Sequence, residues 1–140
     1  MSSVSEELDS KIRTTAGNRC GYCLAPQKLL SYKLEIEHIH PKAKGGKDKE
    51  NNLWLACRQC NLYKGIKTHG QDLISLERVK IFNPRQQNWS EHFVWDERDT
   101  RIIGKTPVGR VTVSILQLNN ELQKTAREFW KLTGIFPPKN

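Results

Sequence analysis

The sequence predicts a single α+β domain: a short hairpin and a helix tied by a metal ion, followed by a second α+β half. Three observations predict it. Two CxxC pairs, Cys20 with Cys23 and Cys57 with Cys60, are separated by 33 residues. Between them lie an alternating segment at 29–39, a polar loop at 41–52 and an apolar run at 53–56. Helical patterns bracket the chain at 3–16 and 119–134. A length of 140 residues suits one domain, 1–140, with a core at about 17–68 and an extension at about 69–140.

The elements follow in order. Leu8, Ile12 and Ala16 form one stripe of the first helix; Ser3 and Glu6 have the spacing of a capping box, and Gly17 suits its end. Leu34 and Ile36 alternate along the first strand, and the loop PKAKGGKDKENN turns at Gly45-Gly46. From Cys57 a helix is expected to about Lys67, with Gly65 weakening its end. NPRQQNW, 83–89, reads as a Pro-containing connection, and 92–106 as two strands around a charged turn. Residues 111–118 fit two patterns: their β-branched residues favour a strand, while Val111, Ile115 and Leu118 fit a helical stripe. In 119–134, Leu122, Ala126, Phe129 and Trp130 define an expected apolar face. Trp54, Trp89, Trp95 and Trp130 are expected in the core.

Composition excludes some classes. No run approaches the roughly 18 apolar residues of a spanning helix, so no membrane partner is expected. The polar, acidic MSSVSEELDSK start does not read as a secretory signal. The expected location is a reducing compartment, the cytoplasm. There thiols stay reduced, and four cysteines read better as metal ligands than as disulfides. The net charge is +8. Residues 41–70 carry seven basic side chains against only Asp48 and Glu50, whereas 1–40 are balanced. A basic stripe of this kind suits a phosphate backbone as partner.

Two residues between paired cysteines let one turn aim both sulfurs at one ion. Four thiolates complete a closed tetrahedral zinc site, which leaves no position for reacting water and is therefore structural. A carboxylate and a carboxamide, Glu37 and Asn61, are hard oxygen donors suited to magnesium or a similar ion. A histidine beside them, here His38, can serve as a general base, because an unperturbed imidazole titrates near neutrality. Together these are the minimum needed to hydrolyse a phosphodiester.

The ordered elements Glu37-His38…Pro41, Gly45-Gly46, Asn52-Leu53 and Cys57-x-x-Cys60-Asn61-x-x-Lys64-Gly65 resemble the HNH endonucleases, in the subgroup with a four-cysteine zinc. The stretch FNPRQQNW…HFVW…IIGKTPVGR…LN is similar to the C-terminal extension of small stand-alone bacterial and phage HNH proteins. The resemblance implies a ββα-metal core (His-Me finger, treble-clef-like) and metal-dependent cleavage of DNA. It implies Glu37 and Asn61 as ligands of a catalytic Mg2+ or Mn2+, and His38 as the base. It implies Asn52 as the side chain that holds the loop, and Cys20, Cys23, Cys57 and Cys60 as ligands of structural Zn2+.

Several alternatives stay open on the residues themselves. Strict alternation puts Glu37 and His38 on opposite faces of a strand, which makes His40 a rival base or a phosphate contact. Asn51 competes with Asn52. Lys42, Lys44, Lys47 and Lys49 are expected to grip phosphates, and Lys64 either does the same or is solvated. Arg85 and His92 sit in a polar segment that could meet nucleic acid. A non-catalytic zinc-containing nucleic-acid-binding module is the alternative function, and RNA the alternative substrate.

Overall fold

A computed structural model describes residues 4–139. The first helix, α1 (Glu6–Thr15), starts where the Ser5 side chain accepts the Leu8 backbone N–H at 3.1 Å. Ser5 therefore caps it; the expected cap, Ser3, lies outside the described residues. Ile12 is its buried anchor, and Gly17, at φ +65°, turns the chain away. The next turn carries the first cysteine pair, closed by the Cys20 N–H on the Ala25 carbonyl at 2.9 Å.

Strands β1 (Glu35–His38) and β2 (Leu53–Ala56) pair antiparallel, with Glu37 opposite Trp54 and His38 opposite Leu53. The first strand is shorter than its sequence pattern. The Gln27 side chain takes both the Tyr32 carbonyl (2.7 Å) and the Leu34 N–H (2.8 Å), so the chain before Glu35 spends its polar groups off the ladder. Helix α2 (Arg58–Lys64) follows at once, with Cys57 as its N-cap. Gly65, at φ +53°, stops it three residues before the expected end.

The second half holds two more hairpins. β3 (His69–Gln71) pairs with β4 (Arg78–Lys80), and β5 (Phe93–Trp95) with β6 (Ile102–Gly104), both antiparallel; the short α3 (Trp89–His92) precedes β5. Sequence reasoning missed the first of these hairpins. Its strands are three residues long and lack alternation, and a tertiary contact places them. A Cβ on Gly70 would stand 2.7 Å from Ile115 and 2.8 Å from Val111, so β3 lies tight on α4 (Pro107–Ile115). The ambiguous segment is helical over 111–115 because Thr106 caps Gly109 N–H at 3.1 Å and Pro107 opens the first turn; 116–118 form the turn that follows.

Helix α5 (Glu121–Trp130) forms as expected but buries a different face. Leu122 and Phe129 are 74 % and 66 % exposed, while Gln123 and Arg127 are buried. Polar partners decide this. Arg127 donates to the carbonyls of Thr100 (2.8 Å) and Leu118 (2.6 Å), and Gln123 reaches the Cys57 sulfur at 3.7 Å. Those groups would be orphaned in an apolar interface, at about 1–3 kcal/mol each. Trp130 does pack inward, edge-on to Phe136. Trp89 and Trp95 join the same partly buried aromatic cluster, and Trp54 is half-buried beneath the Arg85 guanidinium. The whole is a mixed fold of helices and small antiparallel sheets. No helix among the described residues is long and apolar enough to cross a membrane.

Candidate active site

The four cysteines meet. Cys20, Cys23, Cys57 and Cys60 are buried, and their sulfurs all lie within 4.8 Å of one another. Cys23 and Cys57 stand 3.7 Å apart. Four sulfurs around a tetrahedral ion at Zn–S distances near 2.3 Å would be about 3.8 Å apart, so the donor set and its spacing fit zinc. Backbone N–H groups of Tyr22 and Cys60 point at the Cys20 and Cys57 sulfurs. Hydrogen bonds from the other three thiols hold Cys57 far below the ordinary thiol range. The same crowding pushes Cys23 and Cys60 above it, Cys20 being their first partner. Four thiolates coexist in such a cluster only around a cation.

Glu37 lies behind β1, 2 % exposed. Its Oε1 accepts from the Tyr22 hydroxyl at 2.7 Å and from the Lys64 ammonium at 3.0 Å. Its Oε2 is buried and has no hydrogen-bond partner. Burial pushes the carboxyl above its usual range, and Lys64 and Tyr22 pull it back. Tyr22 is itself raised well above a normal phenol, by burial first and by Glu37 next, so it stays a donor.

Lys64 departs from expectation. It is neither a phosphate contact nor solvated: it is 3 % exposed, and besides Glu37 it donates to the carbonyls of His38 and Ile39, both at 3.1 Å. The sequence placed it correctly on the face of α2 that meets β1, but that face is interior.

His38 ends β1 on the opposite side of the strand and meets an acid that the sequence reading passed over. His38 Nε2 lies 2.6 Å from Asp48 Oδ1, and Lys42 Nζ lies 3.2 Å from Asp48 Oδ2. The hydrogen bond from His38 is the main reason why the Asp48 carboxyl sits below its ordinary range. Asp48 therefore accepts, and Nε2 carries the hydrogen in the neutral ring. The only sequence signal was an acid in a basic run, KGGKDKE, which reads equally as a solvated turn.

The loop between the strands is shut by Asn52. Its carbonyl oxygen accepts the His40 N–H at 2.8 Å, and its amide donates to the carbonyls of His40 and Lys47, both at 3.0 Å. Asn51 is exposed and makes none of these bonds. Gly46 fits the same closure: a Cβ there would stand 1.8 Å from the His40 carbonyl oxygen. His40 serves the loop too, its Nε2 donating to the Lys44 carbonyl at 2.9 Å. Lys42, Lys44, Lys47 and Lys49 are exposed along it.

Asn61 is partly buried on α2 and donates its amide to Glu35 at 2.8 Å, which leaves its carbonyl oxygen for another partner. Despite the strand alternation, Glu37, His38 and Asn61 border one cleft of about 240 Å³, with Pro41 and Lys42 on its rim. Arg85 and His92 are not offered outward: Arg85 donates to the Leu53 carbonyl at 3.2 Å, and His92 bonds Thr106 at 2.6 Å.

These features define a short hairpin and helix joined by four cysteines placed for a metal ion, with a polar cleft bordered by β1 and α2. Residues 20–67 match the profile of the family described as HNH endonuclease, about a third of the chain. That segment carries an HNH endonuclease domain match, and it holds all four cysteines placed for a metal ion. Members of the family are in general metal-dependent nucleases acting on nucleic acids. No curated protein and no solved structure matches the chain.

Proposed function

We propose that the protein is a metal-dependent endonuclease that hydrolyses DNA phosphodiester bonds, with the consecutive β1, β2 and α2 acting as a ββα-metal finger. One observation carries the reading: Glu37 buries an oxygen with no partner beside His38 and Asn61, in a single cleft. An unpaired buried carboxylate oxygen is costly unless a cation completes it. Glu37 Oε2 and the Asn61 carbonyl oxygen would hold a magnesium or manganese ion. Such an ion, when bound, supplies positive charge at the scissile phosphate and the leaving oxygen.

The remaining steps belong to side chains. Asp48 holds His38 at Nε2, so Nδ1 is the basic atom. Nδ1 takes the proton from the attacking water, and Asp48 stabilises the imidazolium that results. Asn52 fixes the loop that carries Asp48 and so keeps the pair in register. Lys42, Lys44, Lys47 and Lys49 attract the phosphates on either side of the cut. The chain works as one domain in a compartment that keeps thiols reduced.

The test is nicking of supercoiled plasmid by the zinc-loaded protein and by His38→Ala, with magnesium, manganese or no added divalent ion. Metal-dependent nicking that falls by roughly 10²–10⁴-fold in a folded His38→Ala protein is expected. A folded wild type that cuts neither plasmid, single strands nor RNA would leave a nucleic-acid-binding module as the better reading.

A further inference from the structure

A second and larger groove lies across the segment 39–41 from the catalytic cleft. It encloses about 760 Å³. His40 and Asn51 border it from the finger, and Lys67, His69, Lys80 and Gln86 from the chain beyond. No acidic side chain lines it. Arg78 and Lys80, on β4, form no ion pair among the described residues. The groove is built and not a chance dent. Its floor includes the buried Ile81 and Phe82, and the Phe82 N–H is fixed by Thr112 of α4 at 2.9 Å. The β3–β4 hairpin is held from behind by Arg110, whose guanidinium grips both oxygens of the buried Asp72 at 2.9 Å.

We propose that this groove is a binding site for a single DNA strand, which it leads into the catalytic cleft. The identity of the ligand rests on the nuclease reading above. The groove itself rests on four features: its cationic and amide lining, its lack of carboxylates, its volume and its place. Lysines answer phosphates, and Asn and Gln amides answer sugar and base oxygens. The volume suits a short run of one strand. The two sites share a wall: Pro41 borders the cleft, and the adjoining Ile39 and His40 border the groove. A strand leaving the cut over that wall enters the groove next. The local field is positive as well as the lining: Arg78, Lys80 and Lys44, after burial, hold His69 below the ordinary imidazole range. His69 and Lys80 come from a hairpin outside the matched finger, so this site gives the second half of the chain a role.

The test measures binding without cutting. A fluorescent single-stranded DNA 12-mer is titrated with zinc-loaded His38→Ala protein, and with the same protein carrying Lys67→Glu and Lys80→Glu. Anisotropy is read at several salt concentrations. Loss of two phosphate contacts should weaken binding by about 25-fold at 0.1 M salt and flatten the log–log salt slope by about 1.4. Gln86→Lys should tighten binding, a gain that misfolding cannot produce. Lys28→Glu, at a residue that borders neither the groove nor the cleft, should leave binding as it was. Unchanged affinity and slope in a folded Lys67→Glu/Lys80→Glu protein, with no gain from Gln86→Lys, would overturn the groove. So would tenfold tighter binding of an RNA 12-mer of the same sequence, titrated alongside, since the site would then be an RNA site. Failure of the nuclease reading looks different: the wild type would cut nothing while these binding shifts persisted.

Discussion

Asp48 is the side chain on which His38 depends. A 2.6 Å contact to Nε2 sets which ring nitrogen is basic and limits how the ring turns. Asp48→Asn keeps the shape but can present its amide to the ring and so favour the wrong tautomer. The expected result in steady-state kinetics is a kcat lower by roughly ten- to a hundredfold with little change in KM, partly restored by Asp48→Glu. An unchanged kcat would mean that something other than Asp48 orients His38. The contrast with Glu37, His38, Asn52 and Asn61 is instructive. Those four stand at fixed offsets from glycines, a proline and cysteines, so the sequence displays them. Asp48 acts through a loop closure that brings together residues ten apart, and its neighbours in the chain are only charges. Lys64 failed in the opposite way: its position was readable, but its burial follows from the packing of α2 on β1.

The β3–β4 hairpin stands or falls with Asp72 and Arg110. The Arg110 guanidinium, and then the Ser75 N–H and hydroxyl, hold the Asp72 carboxyl far below its ordinary value of 3.8. A carboxyl depressed on folding stabilises the folded chain fully above the unfolded value. That contribution is lost as pH falls toward the folded one. In thermal melts, wild type should therefore exceed Asp72→Asn by its full margin at pH 6, and the margin should narrow steadily below about pH 4. Comparing the two proteins at each pH cancels any acid loss of zinc, which both share. A margin that stayed constant down to pH 3 would mean that the ion pair is not formed in solution. This hairpin was illegible in the sequence because its strands are too short to show a period. α5 was legible as a helix but not in orientation. Leu122 and Phe129 look like an inner face, yet the surroundings of the helix demand the donors of Gln123 and Arg127.

Across the molecule, the metal cluster supports more than the finger. Gln123 of α5 touches Cys57, and the Trp89 indole N–H donates to the Tyr22 carbonyl between the first two cysteines, at 2.8 Å. Stripping the ion should therefore cost the structure of both halves at once. The expectation is one cooperative loss of far-UV circular dichroism and a large fall in melting temperature after verified zinc removal. A melting temperature that survived removal would show that the cysteines pack without needing an ion. The broad α+β class and the metal site were readable because a small basic chain with two CxxC pairs leaves few other solutions. The second half was not, because its packing is set by tertiary contacts, β3 on α4 and Trp89 on the first cysteine turn among them, that no local pattern encodes.

The contact at Gly21 has a consequence for anyone who would borrow the finger. A Cβ at Gly21 would stand 2.4 Å from Trp54 and 2.7 Å from Pro84, so the knuckle, the second strand and the 83–89 connection are mutually moulded. The side of the finger that carries Gly21 and Trp54 is not blank. Transplanted alone into another scaffold, it would carry a raw seam along Gly21, Tyr22 and Trp54. It is better treated as the inner part of one casting than as an interchangeable cassette.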